Sequence, residues 1–398
     1  MELNKTSFVE INKNKKPIVL FGSGNIAKKN IRKIGKAKIA FIVDNSTDLQ
    51  GTKYEGFEIY SPKIISKDNF VIICSTAISS ISNQLLNSGL LENKDFVISP
   101  ILNDLLAISE LEQLNLEFYF TSGTVPDNNS DYGGGLYKCK VLGSEINLKK
   151  LYSGPCYGLI KKDDSLLFID TDNGLFSYKK GKINKLCKLP KGARAHGISF
   201  NDSNKMFYIT CSDLDLVLEL DSNYKIIREF PLSFKRRKLK EPMHHCNDNL
   251  SIENSLFVSM FSSTGNWKND VFDGCIAEFN IESGERLNDI KSGLYMPHNL
   301  KFFDGSIHVL DSLPGHLLFN NLSVQGTFPG FSRGLDYNSG LYFIGQSKNR
   351  NYSKVLGLSN NISIDCGIII FNPTQKVSRF IPLSMQIGEI HSIISNDS

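Results

Sequence analysis

The sequence has no apolar run approaching the roughly 20 residues that a membrane-spanning helix needs. Its opening stretch, MELNKTSFVEINKNKKP, lacks the apolar segment of a secretory signal, and this points to the cytoplasm. Asn-x-Ser/Thr triplets such as Asn4-Lys5-Thr6 then carry no meaning as glycosylation sites. The eight cysteines include no CxxC pair and no zinc-ribbon spacing, so they read as small buried hydrophobes rather than as a redox or cysteine-metal centre. Net charge is scarce too. Lys and Arg total 45 against 41 Asp and Glu, leaving +4 over 398 residues, which gives no case for nucleic acid or a membrane surface as partner. Tryptophan occurs once, as Trp267, and histidine seven times.

What is present is repetition. In LYMPHNLKFFDGSIHVLDS a turn ending in His298 leads into a short apolar strand, an Asp304-Gly305 turn and a second strand that stops at Asp311. The same pattern recurs at Tyr157-Gly158-Leu159, His196-Gly197-Ile198, His245-Cys246-Asn247, Arg333-Gly334-Leu335 and His391-Ser392-Ile393, some 35 to 60 residues apart. Repeats of that length, each reading as about four short strands, predict a β-propeller. Residues 118–152 supply three strands with no inner strand before them, and the missing one lies at 389–394. Pairing of these N- and C-terminal segments closes a ring of six blades without an exposed edge.

Residues 1–100 read differently. A buried-type strand over 17–21 runs into Gly22-Ser23-Gly24-Asn25-Ile26-Ala27, a helix to about residue 34, and a second strand ending at Asp44. This matches GxGxxG/A with an acidic residue about 20 positions on. The glycines would let backbone N–H groups approach a phosphate, and Asp44 could accept from a ribose hydroxyl; equally, the glycines make only a tight turn. Further alternation to residue 98 gives a small three-layer domain of four or five strands. Nothing after Asp44 completes a dinucleotide site, so NAD is the weaker fit. The fold class is thus α/β plus all-β: a Rossmann-like domain over 1–100, a helical linker over 101–116 and a six-bladed β-propeller over 117–398.

On IVLFGSGNIAKK, FIVDNS, GFEIYSP, VIICST and DFVISP, the first segment resembles the compact Rossmann-like domain of bacterial sugar O-acyltransferases, also found beside methyltransferases of polysaccharide loci. The resemblance implies a nucleotide sugar held by Gly22, Gly24, Asp44 and Ser75. On MHHCND, GNWKND, MPHNLKFFDGSIHVLDSLPGHL, PGFSRGL, GQSKNR, DCGIIIFN and GEIHSI, the propeller resembles a family of bacterial proteins known only as a domain of unknown function. His245, Asn247, Trp267, His298, Arg333 and Arg350 fit that pattern. At His391-Ser392 the chain departs from it, since the family has an acidic and aromatic pair there.

In a propeller the residues that precede the inner strands face the central axis. Tyr157, His196, His245, His298, Arg333 and His391 therefore ring one mouth of the channel. One such histidine would be a satisfied hydrogen-bonding group, but four converging imidazoles suit a divalent cation. His196, His245, His298 and His391 are the predicted ligands for manganese, zinc, iron or nickel. Without a metal, His245, His298 and His391 still serve as acid or base, with Tyr157 as a proton donor and Arg333 as a carboxylate clamp. Asp170, Asp248, Asp311 and Glu389 are candidates for support. Asn247, Trp267, Asp311 and Arg350 would contact substrate, and the run Lys235-Arg236-Arg237-Lys238 would favour an anionic one.

The expectation is a carbohydrate-active enzyme of surface-polysaccharide or nucleotide-sugar metabolism. Its chemistry would be metal- or histidine-assisted epimerisation or elimination on an anionic sugar. A metal-dependent hydrolase and a non-catalytic glycan- or protein-binding propeller are the alternatives. Oligomeric state is not legible at this level.

Overall fold

The computed structural model of the protein describes residues 7–124, 132–233, 243–348 and 362–396. Two compact units divide the chain, the first ending at Glu110 and the second beginning at Leu111. Between residues 103 and 112 the chain is helical (Asn103–Glu112).

In the first unit, α1 (Phe8–Lys13), β1 (Ile18–Phe21), α2 (Asn25–Ile34), β2 (Ile39–Val43), β3 (Lys53–Tyr54), β4 (Phe57–Tyr60), β5 (Phe70–Ile73), α3 (Ile78–Asn87) and β6 (Phe96–Ile98) follow in order. The sheet order is β3-β4-β2-β1-β5-β6. Side chains alternate across it. Ile18, Leu20, Ile42 and Ile72 meet Ala27 and Ile31 of α2 on one face, and Val19, Phe21, Val71 and Ile73 meet Ile81 and Leu85 of α3 on the other.

The expected Rossmann-like domain is corrected here to a mixed sheet with few helices. Strand β3 runs antiparallel to β4 as a two-residue hairpin arm, and the chain reaches β5 from β4 through a single 3-10 turn. A doubly wound sheet needs a crossover helix between each pair of parallel strands. Gly22 has φ +109°, and a Cβ there would meet Cys74 O at 3.0 Å, so this glycine is required by a tight turn.

The second unit is a six-bladed propeller of four-stranded antiparallel sheets. The inner strands of blades 1 to 5 are Cys156–Lys162, Ala195–Asn201, Cys246–Ile252, Pro297–Phe303 and Phe331–Asn338. In blade 6 the strand Ser392–Ser395 pairs antiparallel with Asn115–Ser122, Ser392 opposite Thr121 and Ser395 opposite Phe118. Its Ile393 is wholly buried among Phe118, Phe120 and Ile390. Seven of the eight cysteines are buried and all are free thiols.

All five other inner strands slip register at the same place, between Cys156 and Leu159, Ala195 and Ile198, Cys246 and Asn249, His298 and Lys301, and Ser332 and Leu335. A bulge leaves a residue out of the ladder and bends the strand, so it can re-aim a side chain. Repeated five times beside the axis, it sets the geometry of the mouth.

Candidate functional site

Side chains at the mouth form a closed circuit. Tyr157 lies 4.6 Å from His196 between ring centroids, and His196 lies 6.0 Å from His245. His245 packs on Phe261 at 4.4 Å, Phe261 on His298 at 5.2 Å, and His298 on Phe331 at 5.5 Å. The guanidinium of Arg333 sits 4.6 Å from the Phe331 ring, and its Nη1 donates to Glu389 Oε2 at 2.9 Å. The same carboxylate oxygen lies 2.8 Å from His391 Nε2, and the His391 ring packs at a tilt against Tyr157, with centroids 4.0 Å apart. All six blades contribute. Thus the structure brings together Tyr157, His196, His245, His298, Arg333 and His391 with Glu389, one of the acidic residues expected in support, and adds Phe261 and Phe331 between them.

The circuit has two halves. Blades 3 to 5 supply an apolar wall of Phe261, Met296, Leu313 and Phe331, extended by Trp267, which lies 4.5 Å from His245. The remainder is ionic or hydrogen-bonding. Arg194, exposed and with backbone φ +45°, carries its charge close enough to Tyr157 to act on its hydroxyl, and its guanidinium lies 3.8 Å from Asp213. It lies two residues before His196, as Glu389 lies two before His391 and Phe331 two before Arg333. Sequence reasoning missed this second position of the repeat, although the offset was there to be read.

Three imidazoles are held neutral. Burial pushes His196 and His298 well below the usual histidine range, and neighbouring Arg194 and Arg333 respectively add to this. His245 is pushed down to about 3 by burial and by Arg194 and Arg333. Its Nδ1 has no hydrogen-bond partner among the described residues. Burial raises the Tyr157 hydroxyl above its ordinary range, so it stays protonated.

The predicted metal centre is not formed. Among the described residues no three His, Cys, Asp or Glu side chains could hold one ion. Around the axis Phe261 stands between His245 and His298, Phe331 and Arg333 follow His298, and His196 is 6.0 Å from both His245 and His391 between ring centroids. Zinc needs its ligand nitrogens about 2.0–2.1 Å from one point. Arg194 O at 2.8 Å and Ser212 Oγ at 3.1 Å lie against His196 Nδ1, and Met296 O and Ser312 Oγ, both at 2.7 Å, against His298 Nδ1, contacts that fix the orientation of the two rings.

Other predicted residues have local tasks. Asp311 accepts from Tyr295 N at 2.6 Å, and burial pushes its carboxyl up to about 7. Asp170 accepts from Asp172 N, Asn173 N and the Tyr152 hydroxyl. Asn247 is buried beside the mouth, and its carbonyl accepts from Thr210 Oγ1 at 2.7 Å. Arg350 and the Lys235–Lys238 run lie outside the described residues. In the small unit Asp44 Oδ2 accepts from Ser23 N at 3.0 Å and Ser23 Oγ at 2.8 Å, so the carboxylate offered to a ribose fastens its own turn. Gly24 caps α2, and Ser75 Oγ accepts from Ala77 N at 3.2 Å.

Beneath the mouth, Asn299 acts as a hub. It is buried with φ +54°, donates to His391 O at 2.9 Å and Asp248 Oδ2 at 3.3 Å, and accepts from Gly334 N at 2.6 Å. Burial pushes Asp248 up to about 6.

Residues 194–395 match the family described as "Domain of unknown function (DUF4915)", and residues 14–96 match "C2185-like, N-terminal". No curated protein matches the chain. Similar solved structures include a nidogen/laminin complex chain (TM-score 0.49, 9% identity, covering 71% of this chain and 98% of that one). Another is virginiamycin B lyase from Staphylococcus aureus (0.42, 12%, 70% and 92%). A third is the calcium-binding protein regucalcin from Agrobacterium tumefaciens (0.40, 11%, 56% and 72%). None of these likenesses bears on function.

Proposed function

We propose, for a chain that belongs to the DUF4915 family, that the propeller mouth is the active site of a lyase or epimerase acting on a carboxylate-bearing sugar. One observation carries the reading: Glu389 Oε2 is shared by Arg333 Nη1 and His391 Nε2 inside a ring of buried side chains. A carboxylate that accepts from Nε2–H fixes the His391 tautomer and puts the lone pair on Nδ1. That nitrogen is the base. It takes the proton next to the sugar carboxylate, and the C–H electron pair moves into an enolate-like carboxylate. Arg333 neutralises the developing charge, and the water-poor mouth strengthens that contact. The Tyr157 hydroxyl gives a proton to the departing β-oxygen as its C–O bond breaks in elimination; in epimerisation the proton returns from solvent to the opposite face of the carbon.

The division of labour follows from charge. His196, His245 and His298, with conjugate acids far below neutral pH, are weak bases and suit hydrogen bonding to substrate hydroxyls. The apolar wall with Trp267 suits the face of a sugar ring. These same features favour the second reading, a glycan-binding propeller without turnover.

The test is solvent-deuterium incorporation next to the carboxylate of a panel of uronic acids and their glycosides, with ultraviolet detection of unsaturated product. Turnover in the wild type and a loss of at least about 100-fold in His391→Gln, with unchanged melting, supports the enzyme. Binding of the panel with neither exchange nor product leaves only the glycan-binding reading.

A further inference from the structure

The small net charge of the chain conceals a strong local one. Residues 138–194 hold 13 Lys and Arg against 5 Asp and Glu, a surplus of 8, so the rest of the chain is net negative by 4. Much of this surplus follows one path. Lys180 lies in the hairpin turn on the face opposite the mouth, and Lys182 and Lys185 lie on the outermost strand of blade 1 (Lys182–Cys187). Lys188 and Lys191 follow in the connection that returns to the mouth, where Arg194 meets Tyr157. All six are exposed, and the five lysines form no ion pair with a described residue.

We infer that this edge of blade 1 is a docking track for a strand of acidic polysaccharide, leading one end of it to the mouth. The inference rests on the proposed action on a carboxylate-bearing sugar and extends it from a monomer to a polymer. Charge spacing selects the partner. Lysines three residues apart on an extended strand are about 10 Å apart along it and project to opposite sides, so this outermost edge carries charge at intervals on both sides, which fits a polymer charged only at intervals that lies along the edge. Duplex DNA presents one charge per about 1.7 Å. Single-stranded nucleic acid would need a series of open aromatic rings to stack on; beside the track Phe176 is buried with Lys185 Nζ 5.6 Å above it, and Tyr178 is half-buried with its ring 6.1 Å from that of Tyr119.

Polygalacturonate, a uronic-acid homopolymer, is the probe, with neutral dextran and a mixed-sequence single-stranded oligonucleotide beside it. Affinity for the full chain is measured against salt. Lys182→Gln/Lys185→Gln/Lys188→Gln should bind polygalacturonate at least about tenfold more weakly at low salt and with a shallower salt dependence. Lys205→Gln/Lys376→Gln, remote from the track, should match the wild type, and dextran should not bind. Circular dichroism checks that both variants fold. Undiminished binding by the triple variant, no binding of polygalacturonate at low salt, or tighter binding of the oligonucleotide would each overturn the inference. His391→Gln separates the two proposals: it should keep polymer binding. A wild type that binds polymer without turning it over loses the active-site reading and keeps the track.

Discussion

Glu389 Oε2 decides the chemistry at the scale of single residues, because two partners depend on one oxygen. Glu389→Gln keeps the shape but turns an acceptor into a partial donor, so His391 loses its orientation. Exchange should fall at least about tenfold, with KM little changed if Arg333 still holds the carboxylate. Buried titrating groups make opposite contributions to stability. His196, His245 and His298 have depressed values in the folded protein, so their contribution is full above the ordinary histidine range and is lost as pH falls, down through about 3 for His245. Asp311 is raised to about 7, so its contribution is full below the ordinary aspartate range and is lost as pH rises through 7. Asp311→Asn, which can still accept from Tyr295 N, should therefore raise stability at pH 8 by on the order of 2 kcal/mol and by little at pH 4. Urea unfolding at the two pH values measures this. The axial residues were legible because each precedes a strand in a repeat; the neutrality of three of them was not, because it depends on burial that only the closed ring creates.

At the scale of elements, the bulges matter more than the strands. Period-two alternation and Asp-Gly or Asn-Asp turns identify the strands from composition alone, but a register slip depends on which residue of a neighbouring strand it faces. Asn299 occupies such a slip in the left-handed region and joins the backbones of blades 5 and 6 to Asp248. Asn299→Ala leaves Gly334 N buried and unpaired and puts alanine at positive φ. Stability should drop by about 2–3 kcal/mol. Asn299→Gly relieves the backbone and should recover about 1 kcal/mol of that. At the seam of blade 6, Ile393→Ala should cost about 3 kcal/mol by urea unfolding; a cost near zero would mean that the Ser392–Ser395 strand does not pack into the blade in solution. In the first unit the glycine turn and Asp44 have the spacing of a nucleotide site, and the structure adds what spacing does not give, the two bonds by which Ser23 holds the carboxylate within the turn.

For the molecule as a whole, an average hides the distribution. A formal charge of +4 is the sum of a basic segment over 138–194 and an acidic remainder, and the sum alone gave no case for nucleic acid or a membrane surface. The number of blades was legible from repeats; the run of lysines over 180–191 was legible as well, whereas its place on the outermost strand of a blade, leading back to the mouth, was not, because that depends on the pairing of the sheet. The single tryptophan has a further consequence. Trp267 lies 4.5 Å from His245, within the apolar half of the mouth, so all of the chain's indole fluorescence, excited apart from that of its tyrosines, comes from one ring beside the site. A ligand that displaces water from this ring, or acid that charges the imidazole, reports itself optically without any label. The molecule carries its own gauge of occupancy, readable in a stopped-flow cell before any substrate is known.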